Sequence, residues 1–221
     1  MLRDTQAFED FEGADIQAAP DFWYPGKVQR ATYPATKNGG FSGQTKIKTF
    51  SGETPVSELK AGDLVLTRDN GFQPIRWVGR FARGQRKEKM LCLKANALAP
   101  EVPSSDLTLS PHQRLLSSNG VLRMLFDDQE GLVRARELMQ LEACVSEEVV
   151  AGCWHILLQR HEVILANDVW TESFQPDRKF IGAAGVRVKR QLERLCPKLA
   201  TPEGQRAFPA ARSQMRISAS S

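Results

Sequence analysis

Between Thr45 and Phe81 the sequence breaks into segments of β-strand length that are separated by turn sequences. The segment TKIKTF alternates polar and apolar residues, while LVLTR and QPIRWVGRF lie on either side of Asp69–Asn70–Gly71. That tripeptide is a strong hairpin signal, because both central residues of a type I′ turn need a positive φ. Short strands joined by close turns predict an all-β domain.

The rest of the chain continues this pattern, with two helical exceptions. Strand patterns recur in EKMLCLKANAL, in SDLTLSPHQRLL and between Val149 and Leu165. The segment EGLVRARELMQL, residues 130–141, has helical spacing, and VRVKRQLERLCPKL predicts an amphipathic helix that Pro197 ends. We therefore predict a mainly β fold, a compact all-β domain of short strands and hairpins with a few short helices and a C-terminal helix.

Composition and charge divide the 221 residues into three parts. Residues 1–39 are acidic and interrupted by prolines, which predicts a weakly ordered leader. Residues 40–176 hold the β patterning, and residues 177–221 form a basic helical tail that is expected to be loosely attached from Thr201 onward. The net charge of +4 is too small to predict nucleic-acid binding. The basic tail is either a solvated helix face or a contact for an anionic surface or an acidic partner.

Several classes of protein are disfavoured by what the sequence lacks. The first residues carry acids where a signal peptide needs an apolar core, and no window approaches eighteen apolar residues. This predicts a cytoplasmic protein without a membrane span, with non-classical export left open. Cys92, Cys144, Cys153 and Cys196 lack CxxC spacing, so we expect reduced core residues, with a surface thiol at Cys196 left open. No metal site, cofactor or small-molecule substrate is predicted.

Three blocks of sequence, in this order, resemble the Hint domain that hedgehog autoprocessing domains and inteins share, most closely its bacterial hedgehog/intein-type group. They are GFSGQTKIKT…SGETPVSELKAGDLVLT, LTLSPHQRLL and WHILLQRHEVILANDVWTESF. The resemblance covers roughly Gly40 to Pro176, and a trailing PAARS also fits the group. The matching positions of the first block are Thr45, Ile47, Thr49, Gly52, Val56, Glu58, Leu59, Gly62, Asp63, Val65 and Thr67. Gly62 and Asp63 suit a tight turn, so they indicate the fold and not catalysis.

The resemblance implies acyl transfer on the domain's own backbone. In such domains the first residue is Cys, Ser or Thr, and it attacks the preceding carbonyl to convert the peptide bond into a thioester or ester. Counting back from Thr45, this position falls on Gly40, which has no side chain. Ser42 is an alternative nucleophile, although a shift of two residues along a strand moves the reacting carbonyl by about 6–7 Å.

The resemblance also implies proton-transfer residues in the second and third blocks. It assigns Ser110 and His112 to the second block, where the histidine gives a proton to the departing amide. The family's spacing puts that histidine at Gln113, and on a strand a shift of one residue turns the side chain to the opposite face. If SPHQ is a turn this objection does not apply, and a turn-stabilising or surface role for His112 stays open. His161 matches the histidine of the third block, where it either assists the second step or is a hydrogen-bonded structural residue.

The end of the third block differs from an intein. Thr171–Glu172 stands where an intein has His–Asn, so asparagine cyclisation is not available, and Asn167 fits a turn residue better than a cyclising one.

Two functions follow from these patterns. The first is a divergent autoprocessing domain, at most a single-turnover enzyme that acts on its own upstream segment. The alternative is a catalytically inactive Hint-fold scaffold or protein-interaction module with a protein partner. An independent hydrolase or metalloenzyme has no cluster of residues in its favour.

Overall fold

A computed structural model describes the chain between Gly39 and Met215 with short gaps. The described residues are 39–81, 88–118, 122, 130–140, 145–150, 152–176, 186–197, 201–206 and 208–215. The predicted acidic leader, apart from Gly39, and Cys144 therefore lie outside the described residues.

The described residues are mainly strands, which confirms the predicted fold class. The strands are β1 Lys46–Thr49, β2 Gly52–Pro55, β3 Leu64–Thr67, β4 Gly71–Pro74, β5 Trp77–Phe81, β6 Glu88–Leu93, β7 Leu107–Leu109, β8 Arg114–Leu116, β9 Leu132–Arg134, β10 Val145–Val150, β11 Cys153–Leu157, β12 Val163–Ala166, β13 Val169–Glu172 and β14 Gln214–Met215. The helices are α1 Val186–Leu195 and α2 Pro202–Arg206, with 3-10 turns at Val56–Glu58 and Ala135–Gln140.

These strands form three sheets. The largest has the order β14-β9-β8-β13-β12-β1-β3-β4, with β2 added beside β1. The order β10-β6-β7 makes a three-stranded sheet, and β11 pairs with β5. The shared core between them includes Ile47, Val65, Leu109, Ile156 and Ile164, all with no exposed surface. Burial of such side chains is the main stabilising term, at about 1.5–3 kcal/mol each.

The backbone φ values distinguish the turns of two hairpins. The hairpin predicted at Asp69–Gly71 joins β3 to β4, with Thr67 paired to Gly71. Of the turn residues only Gly71, at φ +61°, has a positive φ, so this is a three-residue loop and not the two-residue type I′ turn expected. The turn between β12 and β13 is the one with two positive φ values, at Asn167 (+45°) and Asp168 (+61°), which confirms Asn167 as a turn residue.

The helix predicted within residues 130–141 is wrong in its first part. Leu132–Arg134 forms strand β9, which lies between β8 and β14, and only Ala135–Gln140 is helical, in the 3-10 form. Leu132 and Val133 are adjacent and both fully buried, so burial on the two faces of a sheet outweighed the helical spacing.

The C-terminal helix is confirmed, as α1 ends at Leu195 just before Pro197. Cys92, Cys153 and Cys196 are buried and not disulfide-bonded, and the full burial of Cys196 excludes a surface thiol there. Among the described residues no helix has the length and apolar character needed to cross a membrane.

Candidate active site

The segment Gly40–Ser42 is held on both sides by backbone hydrogen bonds. Phe41 and Trp154 exchange two bonds of 2.9 and 2.8 Å, which join the segment to β11. On the other side Ser42 donates to the carbonyl of Thr108, and the amide of Ser110 donates to the carbonyl of Gly40 at 2.8 Å. Phe41 is itself buried in the core. The backbone where the family's reaction takes place is therefore firmly positioned.

The space that a side chain at residue 40 would occupy is already filled. A Cβ atom on Gly40 would lie 2.7 Å from Cβ of Cys153 and 3.0 Å from Cε1 of His155. Cys153 and His155 are two residues apart on β11, so their side chains lie on the same face of the strand, the face toward Gly40. Cys153 thus stands beside the position from which the family's nucleophile would act.

This packing predicts that Gly40 and Cys153 are coupled. Gly40→Cys should lower the free energy of unfolding by about 1–3 kcal/mol through overpacking, and the double variant Gly40→Cys/Cys153→Gly should recover part of that loss. The free energies come from urea titrations in reducing buffer, with Cys153→Gly as the third corner of the cycle. A Gly40→Cys variant as stable as the wild type would show that the site has room for a nucleophile.

His155 is a buried, neutral histidine. Its ring packs on Phe174 with 4.9 Å between ring centroids, and it is 6% exposed. Desolvation by this burial lowers the pKa of His155 from 6.5 to about 3. At neutral pH the ring is therefore uncharged. It is not the imidazolium acid that would give a proton to a departing amine.

The segment SPHQ is a turn, and it directs Gln113 toward Gly39. The amide of Gln113 donates to the carbonyl of Ser110 at 2.9 Å, and the amide of His112 donates to Oγ of Ser110. The nearest neighbours of a Cβ on Gly39 would be Oε1 and Cα of Gln113. His112 is half-buried, whereas Gln113 is 2% exposed.

The orientation of the Gln113 amide follows from its partners. Its Nε2 donates to Oγ1 of Thr171 at 2.7 Å and to the carbonyl of Glu172 at 2.8 Å. Oγ1 of Thr171 donates its own proton to the carbonyl of Arg114, so it acts as an acceptor toward Gln113. The amide oxygen, which cannot donate a proton, is consequently the end of Gln113 that faces Gly39.

The other predicted nucleophile, Ser42, belongs to a turn. Its carbonyl accepts from the amide of Thr45 at 3.2 Å, and its Oγ lies 3.3 Å from Oγ1 of Thr45. Oγ1 of Thr45 in turn donates to the carbonyl of Thr108. These contacts close the loop that leads from the entrance segment into β1.

A second cluster surrounds the buried carboxylate of Glu172. Arg114 contacts it through Nη1 at 2.6 Å and through its backbone amide at 3.1 Å. Nε2 of His161 lies 3.2 Å from Oε2 of Glu172, and Nδ1 of His161 accepts from the amide of Ala211 at 2.9 Å. Nδ1 of His161 is therefore hydrogen-bonded to the backbone, whereas Nε2 is close to the carboxylate without a hydrogen bond to it. The carbonyl of Glu172 links this cluster to Gln113.

The structure thus divides the predicted site residues. Ser110 contributes its amide to the carbonyl of Gly40, while His161 lies in the Glu172 cluster. Sequence reasoning did not select Cys153, His155, Gln113 or Glu172 as site residues. The family spacing already pointed to Gln113. The two-residue separation of Cys153 and His155 on a predicted strand is the signal that places both side chains on one face. Within the described ranges no group of three or more His, Cys, Asp or Glu side chains could hold a metal ion.

The family model described as "Hint domain" matches residues 39–178, and the chain belongs to this family. No curated protein matches the chain.

Solved inteins are similar to this chain over most of their own length. The Ssp DnaB mini-intein variant M86 is 15% identical, with a TM-score of 0.44 and coverage of 64% of this chain and 98% of that one. The gp41-1 intein is 14% identical, with a TM-score of 0.38 and coverage of 60% and 97%. A DnaB intein from Synechocystis sp. PCC 6803 is 13% identical, with a TM-score of 0.39 and coverage of 61% and 98%.

Proposed function

We propose that the chain is a divergent Hint domain of the autoprocessing type that has lost the acyl shift at residue 40 and keeps its upstream segment attached. The observation that carries this proposal is the filled space beside Gly40, where Cys153 and His155 occupy the volume of the missing nucleophile. Such a domain acts as a non-cleaving module within its own chain.

The chemistry of the step supports the proposal. An N–S or N–O shift needs a nucleophile bonded to the residue whose amide is broken, because a five-membered ring brings sulfur or oxygen onto the carbonyl carbon. Gly40 offers no such atom. Ser42 lies two residues further along and is tied into the turn with Thr45.

Protonation of the departing amide nitrogen is a second difficulty for the reaction. The departing amide nitrogen must gain a proton, and a histidine near its ordinary pKa of about 6.5 serves this purpose best. Gln113 presents an acceptor oxygen to Gly39, and the pKa of His155 is lowered to about 3. The nucleophile is therefore missing at residue 40, and neither Gln113 nor His155 is an acid near the ordinary histidine pKa.

The proposal is tested on a fusion of a small folded protein to the N-terminus of the full chain. Its intact mass is recorded over a day near neutral pH, with and without dithiothreitol. We expect one unchanged mass, because a thiol can cleave only a thioester or ester that has already formed.

Two further fusions identify any chemistry that is present. Ser42→Ala removes the alternative hydroxyl, and Cys153→Ala removes the thiol next to Gly40. Release of the upstream protein from the wild-type fusion would overturn the proposal. Loss of that release in one of the two variants would name the nucleophile, and the mass of the fragment would give the bond that breaks.

A further inference from the structure

The segment Phe208–Met215, here termed the latch, is docked onto the domain beyond the part that the family model covers. Strand β14 pairs in parallel with β9, and the amide of Leu132 donates to the carbonyl of Ser213 at 2.8 Å. At the other end Phe208 is 5% exposed, and its carbonyl accepts from Nε2 of Gln175. Both ends of the latch are therefore bound.

Arg212 anchors the middle of the latch to two carboxylates. It contacts Asp69 through Nη1 and Nη2 at 2.9 and 2.7 Å, and Glu130 through Nε at 2.6 Å. Glu130 also accepts from Arg68 at 2.8 Å. A planar guanidinium suits this arrangement because its fork matches a carboxylate with two parallel bonds. The same contacts lower the pKa of both Asp69 and Glu130.

The residue next to Arg212 controls the proton position on His161. The amide of Ala211 donates to Nδ1 of His161 at 2.9 Å, so Nδ1 is an acceptor and the neutral ring carries its proton on Nε2. Nε2 lies 3.2 Å from Oε2 of Glu172 but does not form a hydrogen bond with it. The side chain of His161 has no exposed surface.

We propose that the latch is an intramolecular clamp that fixes His161 in its Nε2–H tautomer, and that Arg212 is the positioning residue that keeps the clamp closed. Arg212 does not touch His161 through its side chain; it holds the backbone that supplies the Ala211 amide. The inference rests on the described contacts and holds whether or not the domain cleaves its upstream bond.

The test uses the full chain labelled with ¹⁵N, because its three histidines give few ring signals to assign. Long-range ¹H–¹⁵N spectra report the tautomer of His161, and hydrogen exchange reports the amides of Ala211 and Leu132. The variants are Arg212→Ala, the conservative Arg212→Lys, and Arg194→Ala as a control on the exposed side of α1. The His161 signals are assigned with a His161→Gln variant.

In the wild type we expect the Nε2–H tautomer and protected amides at Ala211 and Leu132. Arg212→Ala should speed exchange of both amides by about tenfold or more, because the charge-assisted hydrogen bonds of Arg212 to Asp69 and Glu130 are lost. The same variant should show a mixture of the two His161 tautomers. Arg212→Lys should restore part of the protection, and Arg194→Ala should change neither signal. Unchanged exchange and an unchanged tautomer in Arg212→Ala would overturn the proposal, as would a wild-type ring with its proton on Nδ1.

Discussion

Replacing Arg114 by methionine should lower the free energy of unfolding by about 3–5 kcal/mol, because it leaves a buried carboxylate without its cation. The side chains of Arg114 and Glu172 are only 15% and 6% exposed, and their closest contact is 2.6 Å. Glu172 also faces His161, so the loss should affect the whole cluster. The free energies come from urea titrations at neutral pH.

The exposed pair of Lys94 and Asp106 is the matched control. Its nitrogen and oxygen are 2.8 Å apart, but the two side chains are 49% and 50% exposed. Lys94→Met should therefore leave stability close to that of the wild type, since water screens such a pair. The double variant Arg114→Met/Glu172→Met should be more stable than Arg114→Met alone. An Arg114→Met variant that is as stable as Lys94→Met would contradict the account of the cluster.

Acid should destabilise the domain through His155. The pKa of the folded-state imidazole is lowered to about 3 by burial, while the unfolded chain titrates near 6.5. The unfolded state therefore binds a proton that the folded state does not. This contribution is absent above pH 6.5 and grows by about 1.4 kcal/mol per pH unit as the pH falls from about 6.5 toward 3.

The measurement is the free energy of unfolding at several pH values for the wild type and for His155→Gln, which cannot titrate. His155→Gln is expected to be less stable at pH 7, because it loses packing on Phe174, but its stability should fall less steeply with acid. Asp69, Asp106 and Glu130 have a lowered pKa in both proteins, so their effect on the slope cancels in the comparison. Equal slopes in the two proteins would show that His155 is not held neutral.

Much of the fold could be predicted because short-range signals determine it. Asn167 and Gly62 have positive φ values, which asparagine and glycine adopt readily in turns. The carboxylate of Asp63 accepts a hydrogen bond from the amide of Lys60 at 2.8 Å, as expected of an aspartate in a turn. Ile47 and Val65 follow the alternation that places them in the core. The segment at Leu132 misled the prediction, because residues buried on both faces of a sheet do not alternate.

The site was predictable only in part. The absence of a side chain at Gly40 and the family spacing that falls on Gln113 are visible in the sequence. That Cys153 and His155 fill the space beside Gly40 depends on the pairing of Phe41 with Trp154, more than a hundred residues apart. No local pattern encodes such a contact.

The latch shows the same limit. The segment from Thr201 onward was expected to be loosely attached, yet Phe208–Met215 is bound along its length. Arg212 lies 143 positions from its partner Asp69. Charge counts describe the tail as basic, but only the fold brings those two residues together.

The central claim, that no acyl shift takes place at residue 40, is tested most directly by trapping with hydroxylamine. The wild-type fusion is incubated with hydroxylamine near neutral pH, and the products are measured by intact mass. Hydroxylamine cleaves an ester or thioester rapidly and leaves the ordinary amide bond at Gly39–Gly40 intact. Its slower reaction at Asn38–Gly39 gives a fragment that ends at Asn38, which intact mass separates from one that ends at Gly39. The account predicts no fragment that ends at Gly39, and a hydroxamate-terminated fragment with that C-terminus would contradict it.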